Sequence, residues 1–169
     1  MPTISLYHGS NSKFDLPTLG NKGTNSYGIL GDESVDRHGI FFSDSKEFAN
    51  QFGKHVNKFK VNINNPLELT RDVRLDFLET IDAFDERELW LAVKYIRQEW
   101  QLFDGTVGER FVKWVLSQGY DSAVFEETVE TSTGEELSGN TYVVFDNAQV
   151  IRKVISSNHL LSEYREYFR

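Results

Sequence analysis

The order of patterns along the chain predicts an α+β domain: strand-like apolar segments at both ends enclose a block with helical periodicity. The 169 residues are close to the length of one domain, and 39% are hydrophobic and 14% aromatic, including 13 Phe and 7 Tyr, enough for a core without cross-links. No linker, internal repeat or low-complexity tract divides the sequence, so a single domain over 1–169 is expected.

Each element follows from local pattern. Thr3 to Tyr7 reads as a short buried strand ending in His8-Gly9-Ser10. Asn11 to Arg37 is rich in Gly, Asn, Ser and Asp without a sustained period, and reads as a long loop of the kind that binds ligands. Gly39-Ile40-Phe41-Phe42-Ser43 is an apolar strand. Asp44 or Ser45 then caps a helix carrying Phe48, Ala49 and Phe52, stopped by Gly53. Val56 to Ile63 alternates, and Asn65-Pro66 closes it as a turn. From Leu75 to Trp100, apolar residues such as Phe77, Leu78, Ile81, Phe84, Leu89, Val93 and Ile96 recur at spacings of three and four, which predicts two amphipathic helices with Trp90, Trp100 and Trp114 as core residues. Phe111 to Leu116 belongs to another helix, ended by Gly119. Ser122 to Phe125 and Tyr142 to Phe145 read as strands joined by an acidic hairpin around Gly134 and Gly139. Val150 to Val154 is a further strand, and a terminal helix is expected from about Ser157.

The net charge of −8 is unevenly spread. Asp72 to Glu109 holds 10 acidic and 4 basic residues, leaving 16 and 14 for the rest, so an acidic helical block (about 72–118) interrupts a nearly neutral frame. Broad nonspecific binding to nucleic acid is disfavoured, since it needs a positive surface. Lys54, His55, Lys58 and Lys60 form a local basic cluster, read as a solvated strand edge guarded against aggregation. The absence of cysteine removes disulfides, thiolate nucleophiles and zinc–thiolate sites. His8, His38, His55 and His159 lack ligand spacing, so no metal is expected. There is no apolar run of membrane-spanning length and no leader-like start, and a cytoplasmic setting is expected. Phosphate-binding glycine loops, nucleophile elbows and metalloprotease motifs are missing. What stands out is polar groups at strand ends, His8-Gly9 and Ser43, with the long loop between them in sequence.

Three segments then carry a resemblance in order along the chain: Leu6-Tyr7-His8-Gly9-Ser10, Gly39-Ile40-Phe41-Phe42-Ser43 with Phe48-Ala49-Asn50 after it, and Tyr142-Val143-Val144-Phe145-Asp146-Asn147-Ala148-Gln149-Val150. Together they resemble ADP-ribosyltransferases of the diphtheria-toxin-like and poly(ADP-ribose)-polymerase-like branch, including small phage and bacterial members. Residues 70 to 118 match nothing in that pattern. The resemblance implies a split mixed β-sheet with a helical insertion, NAD as co-substrate and no metal. It implies that His8 bonds a ribose hydroxyl and that the backbone of Gly9 holds the nicotinamide carboxamide, with Tyr7 and Ser10 flanking them. Phe41 stands where the family's Tyr stacks on nicotinamide, a role that needs a π face rather than a hydroxyl. Phe52 is a second stacking candidate, and Ser43 a hydrogen-bonding one. Thr141 occupies the position of the family's Glu, which stabilises an oxocarbenium-like ribose; Glu126 or Glu127 on the neighbouring strand is the replacement carboxylate, and Gln149 a further polar candidate. The expected activity is therefore transfer of one ADP-ribose from NAD to a macromolecular acceptor, protein or nucleic acid. The setting implied is a bacterial toxin, defence component or phage effector, with the acidic block as a partner surface. The alternatives are the same fold as a binding module without catalysis, and hydrolysis of NAD without any acceptor.

Overall fold

The computed structural model describes residues 2–11, 16–19, 22–27, 34–80 and 99–155. In chain order these form β1 (Thr3–Ser10), β2 (Lys22–Tyr27), β3 (Ser34–Asp36), β4 (Ile40–Ser43), α1 (Lys46–Ala49), β5 (His55–Asn62), β6 (Pro66–Glu68), α2 (Arg71–Glu79), α3 (Gly105–Ser117), β7 (Ser122–Glu130), β8 (Glu136–Val144) and β9 (Val150–Val154). Short 3₁₀ turns cover Asn50–Phe52, Glu99–Phe103 and Asn147–Gln149.

Seven strands form one sheet in the order β6-β7-β8-β4-β1-β5-β9, and β2 pairs with β3 separately. The sheet is mixed, because β6 runs parallel to β7 while the other neighbours are antiparallel. β1 and β5 pair along eight residues, Thr3↔Asn62 to Ser10↔His55. By contrast, β1 meets β4 at the pair Tyr7↔Ser43. Two well-paired halves, β6-β7-β8-β4 and β1-β5-β9, are thus joined at one point, and with the helices beside them the arrangement is α+β.

Strand alternation sorts the apolar residues into two cores. On one face Phe41, Val143, Ala123 and Phe125 pack beneath α2, the Glu99–Phe103 turn and α3, through Phe77, Leu102, Phe103, Val107, Phe111 and Val115. Thr70 caps α2 by accepting from the Val73 amide (3.3 Å), which turns Phe77 toward Phe111 and Trp114. On the other face Leu6, Ile40, Phe42, Phe59, Val61, Val144 and Val150 form the second core. α1 is capped by Ser45, whose hydroxyl accepts from the Phe48 amide (3.2 Å). It lies so close to β1 that a Cβ on Gly9 would sit 1.9 Å from the Ala49 carbonyl oxygen.

Several expectations change. The segment from Asn11 to Arg37 contains the antiparallel pair β2–β3, whose polar strands carry no apolar alternation to betray them. Pro66 opens β6 rather than ending a turn, and a proline is tolerated there because β6 is an edge strand. Gly139 lies inside β8, and the hairpin turns at Gly134, whose φ of 83° suits glycine. The basic cluster is not on a strand edge: β5 is flanked by β1 and β9. The first helix of the acidic block is Arg71–Glu79, whereas the second expected helix, with Trp90, and the terminal helix fall outside the described residues.

Candidate functional site

Directly opposed residues share a sheet face, so the register draws a row Lys58–Tyr7–Ser43–Thr141–Phe125 across five strands. Glu127 pairs with Gly139 two positions beyond Phe125 and shares this face. Glycine at that point leaves room beside Ser43: a Cβ on Gly139 would stand 3.2 Å from the Ser43 hydroxyl oxygen. Asp44 fixes β4 to β8 here, its carboxylate accepting from the Asn140 amide (2.8 Å) and Nδ2 (2.9 Å). Ser43 is buried and its hydroxyl accepts from the Ser45 amide (3.1 Å).

Thr141 is also buried, and its hydroxyl donates to Glu127 Oε2 at 2.5 Å. The Thr141 hydroxyl thereby holds a carboxylate of the adjacent strand. Burial pushes the Glu127 carboxyl above its ordinary range; the Thr141 hydrogen bond opposes this, nearby Glu99 adds to it, and the Arg37 guanidinium opposes it. Glu126, one residue earlier, is exposed, opposes Asn140 and points to the other face, away from Thr141. Gln149 is bound up in the fold: Oε1 accepts from the Phe145 and Asp146 amides (2.9 and 3.0 Å), and Nε2 donates to the carbonyls of Asn62 (3.3 Å) and Asp121 (3.0 Å).

His8 lies across the join between the halves. Its ring rests against Phe42 and Phe59, on the face opposite Tyr7 and Ser43, with centroids 5.6 and 6.4 Å away. Nδ1 lies 2.6 Å from the Phe41 carbonyl oxygen. A carbonyl only accepts, so Nδ1 carries the proton and the neutral ring has its acceptor lone pair on Nε2. Burial holds the imidazole below its ordinary value although the Phe41 bond raises it, which favours that neutral form. Gly9 continues β1 against α1, and Ser10 ends the strand opposite His55. Tyr7 is half-buried with the Lys58 ammonium 5.6 Å from its ring centroid. Phe52 is half-buried, tilted on Phe48 at 5.3 Å.

Phe41 is engaged on its π face. The Arg37 guanidinium carbon lies 4.4 Å from its centroid, while Phe103 and Phe125 meet it edge-on at 5.4 and 6.4 Å. Arg37 also stands 5.5 Å from the Trp100 ring and grips buried Asp104 through Nε–Oδ1 (3.0 Å) and Nη2–Oδ2 (3.4 Å). Arg37, Glu99 and Asp104 were not expected at the site. Asp104 offered one sequence signal: it sits at the N-cap of α3, yet its side chain makes no cap bond and goes to Arg37 instead. The end of the acidic block therefore abuts the Glu127 site rather than standing apart from it. Among the described residues no group of three or more His, Asp or Glu could hold a metal ion, and no helix is long and apolar enough to cross a membrane.

The mixed seven-stranded sheet with its few helices is the α+β architecture expected of the class to which the three segments pointed. A family model described as "ADP-Ribosyltransferase in polyvalent proteins" matches residues 2–159, and the chain belongs to this family. The family uses NAD as substrate. No curated protein matches the chain. Among solved structures, a crystal structure of an anti-CRISPR protein is similar at 15% identity, covering 90% of this chain and 96% of that chain with a TM-score of 0.41.

Proposed function

We propose that the protein transfers a single ADP-ribose from NAD to a macromolecular acceptor, with Glu127, presented by Thr141, as the catalytic carboxylate. The observation that carries this reading is the 2.5 Å bond between the Thr141 hydroxyl and Glu127 Oε2, which sets a carboxylate beside the position where the family carries Glu. When the glycosidic bond to nicotinamide breaks, its electron pair leaves with nicotinamide and positive charge develops on the ribose. An ionised Glu127 stabilises that charge, and the acceptor then bonds the ribose carbon and releases its proton to solvent. His8, whose ring lies on the sheet face opposite Ser43 and Glu127, accepts a ribose hydroxyl through Nε2 across the join between the halves; the Gly9 backbone and Ser43 address the carboxamide, and Phe52 supplies a ring to the nicotinamide. Tyr7 and Ser10 frame the strand end, and Phe41 supports the site by packing against Arg37. Within the same proposal the protein works in the cytoplasm as a toxin, defence component or phage effector. Single transfer is part of the proposal because Glu127, reaching in from the adjacent strand and engaged by the Thr141 hydroxyl, is assigned to the cationic ribose and not to the hydroxyl of a second one. Nicotinamide release from NAD tests the chemistry; a single ADP-ribose increment on the modified acceptor supports mono-transfer, and a ladder of increments refutes it.

A binding module without catalysis is the second reading, favoured by one observation: Arg37 already covers a face of the ring at the family's stacking position. Calorimetric NAD binding without nicotinamide release would establish it.

A further inference from the structure

We propose that the face of β1, β5 and β9 carrying Tyr7, Lys58, Lys60 and Arg152 docks single-stranded nucleic acid and brings it to the site as the acceptor. The acceptor role rests on the transfer reading; the docking surface stands without it.

The surface follows from the register. Directly opposed residues share a face, and the pairs Tyr7↔Lys58, Ser5↔Lys60 and Lys60↔Arg152 set all three cations on the Tyr7 side of the sheet. Lys58 and Lys60 are half-buried and Arg152 is exposed. Lys60 and Arg152 stand directly across from each other, where like charges destabilise a strand pair. Strands β1, β5 and β9 contain no carboxylate, and among the described residues no ion pair reaches Lys58, Lys60 or Arg152. A polyanion laid on this face relieves that repulsion.

Ring and charge together choose the polyanion. The Lys58 ammonium lies 5.6 Å from the Tyr7 ring centroid, so the row pairs an aromatic surface with a cation, the combination that takes a base and its neighbouring phosphate. A carboxylate-rich peptide would engage the cations and leave the ring unused. The major groove of a duplex admits a helix or a two-stranded ribbon, and three neighbouring strands of a seven-stranded sheet are neither. Unpaired bases, by contrast, lie flat on a sheet. The same row continues from Tyr7 to Ser43 and Thr141, and Thr141 is three strand spacings, about 14 Å, from Lys58. The exposed Glu126, Glu130, Glu135 and Glu136 of the β7–β8 hairpin repel a polyanion, which confines it to the basic half of a chain with net charge −8.

The test is fluorescence anisotropy of the full-length protein with a labelled oligothymidylate, an oligouridylate and a polyglutamate peptide, without NAD and over a salt series. Both oligonucleotides should bind. With three phosphate contacts, the logarithm of the association constant should fall against that of the salt with a slope of about −2, and Lys60→Gln or Arg152→Gln should each reduce the slope by about 0.7. The double variant Lys60→Glu, Arg152→Glu should weaken binding about 20-fold or more near about 0.1 M salt. Tyr7→Leu should weaken it about fivefold or more with the slope kept. Absent oligonucleotide binding, unchanged binding in the folded double variant, or polyglutamate binding as tight as either oligonucleotide overturns the proposal. With labelled NAD, the wild type should label the oligonucleotide and the double variant should lose that label while releasing nicotinamide as before; label on neither oligonucleotide overturns the acceptor role. Absent nicotinamide release in the wild type would count against the transfer reading, while anisotropy would still judge the surface.

Discussion

The two halves of the sheet differ in charge as sharply as in packing. Strands β1, β5 and β9 contain Lys58, Lys60, Arg152 and Lys153 and no carboxylate, whereas the hairpin from Ser122 to Val144 contains Glu126, Glu127, Glu130, Glu135 and Glu136 and no lysine or arginine. The helices of the first core cover the acidic half, so a carboxylate on its covered face is driven into partial burial. Of the five, Glu127 lies on that face beside Thr141, where burial raises its pKa. Sheet parity and burial thus set Glu127 apart in a hairpin whose other acids are exposed. The basic half contributes differently, by bringing His8 and Gly9 to the join.

The sharpest way to break this contrast is Glu127→Gln. Nicotinamide release should fall by about 100-fold or more, the usual cost of removing a group aimed at developing charge. Stability should move the opposite way. Folding raises the acid's pKa, so the native state binds more protons than the unfolded one and the wild type loses stability as pH rises above 4.5, the ordinary Glu value. The melting temperature of the variant relative to wild type should therefore improve from acidic to neutral pH.

Gly9→Ala probes the basic half's contact with α1. Its Cβ would meet the Ala49 carbonyl oxygen at 1.9 Å, so a loss of about 1–3 kcal/mol in denaturant unfolding is expected, as for overpacked interiors.

His8→Ala removes the bond to the Phe41 carbonyl and should cost about 0.5–1.5 kcal/mol together with NAD affinity in calorimetry. Here folding lowers the pKa, so the unfolded state takes up more protons and wild-type stability declines as pH falls below 6.5; the variant should lose that part of the decline. Wild-type NAD turnover in the folded variant would remove His8 from the site.

The smallest effect sharpens the comparison. Glu126→Gln, one residue from Glu127 but exposed on the other face, should change stability by no more than about 0.5 kcal/mol and leave nicotinamide release as it was.

Legibility in the sequence followed apolar content. β1, β4, α3, β7, β8 and β9 were readable because Leu6, Phe42, Phe111, Ala123 and Val144 sit in apolar runs of the right period. β2 and β3 have no such run, and β6 is three residues pinned by parallel pairing with a strand that lies far along the chain. His8 and Ser43 were visible at strand ends and Thr141 through the family resemblance, yet adjacency could not separate Glu126 from Glu127; only the register with Thr141 does. Arg37 left no local mark because what defines it, Asp104, lies 67 residues away.

Gln149 and the Tyr7↔Ser43 pair together determine how the molecule can come apart. The glutamine amide ties the Asn62 carbonyl of the basic half to Asp121 and Phe145 of the acidic half, near the end of the sheet where β1 begins. Beyond Tyr7, the His8 ring takes the place of a backbone ladder between β1 and β4. Among the described residues the join is thus sewn at one end, pinned at Tyr7↔Ser43 and bridged beyond it by the His8 imidazole, with α1 packed against Gly9. Local opening with small loss of buried area then belongs to the bridged end, so backbone protons of Gly9 and Phe41 should exchange with deuterated solvent ahead of those in the long β7–β8 ladder.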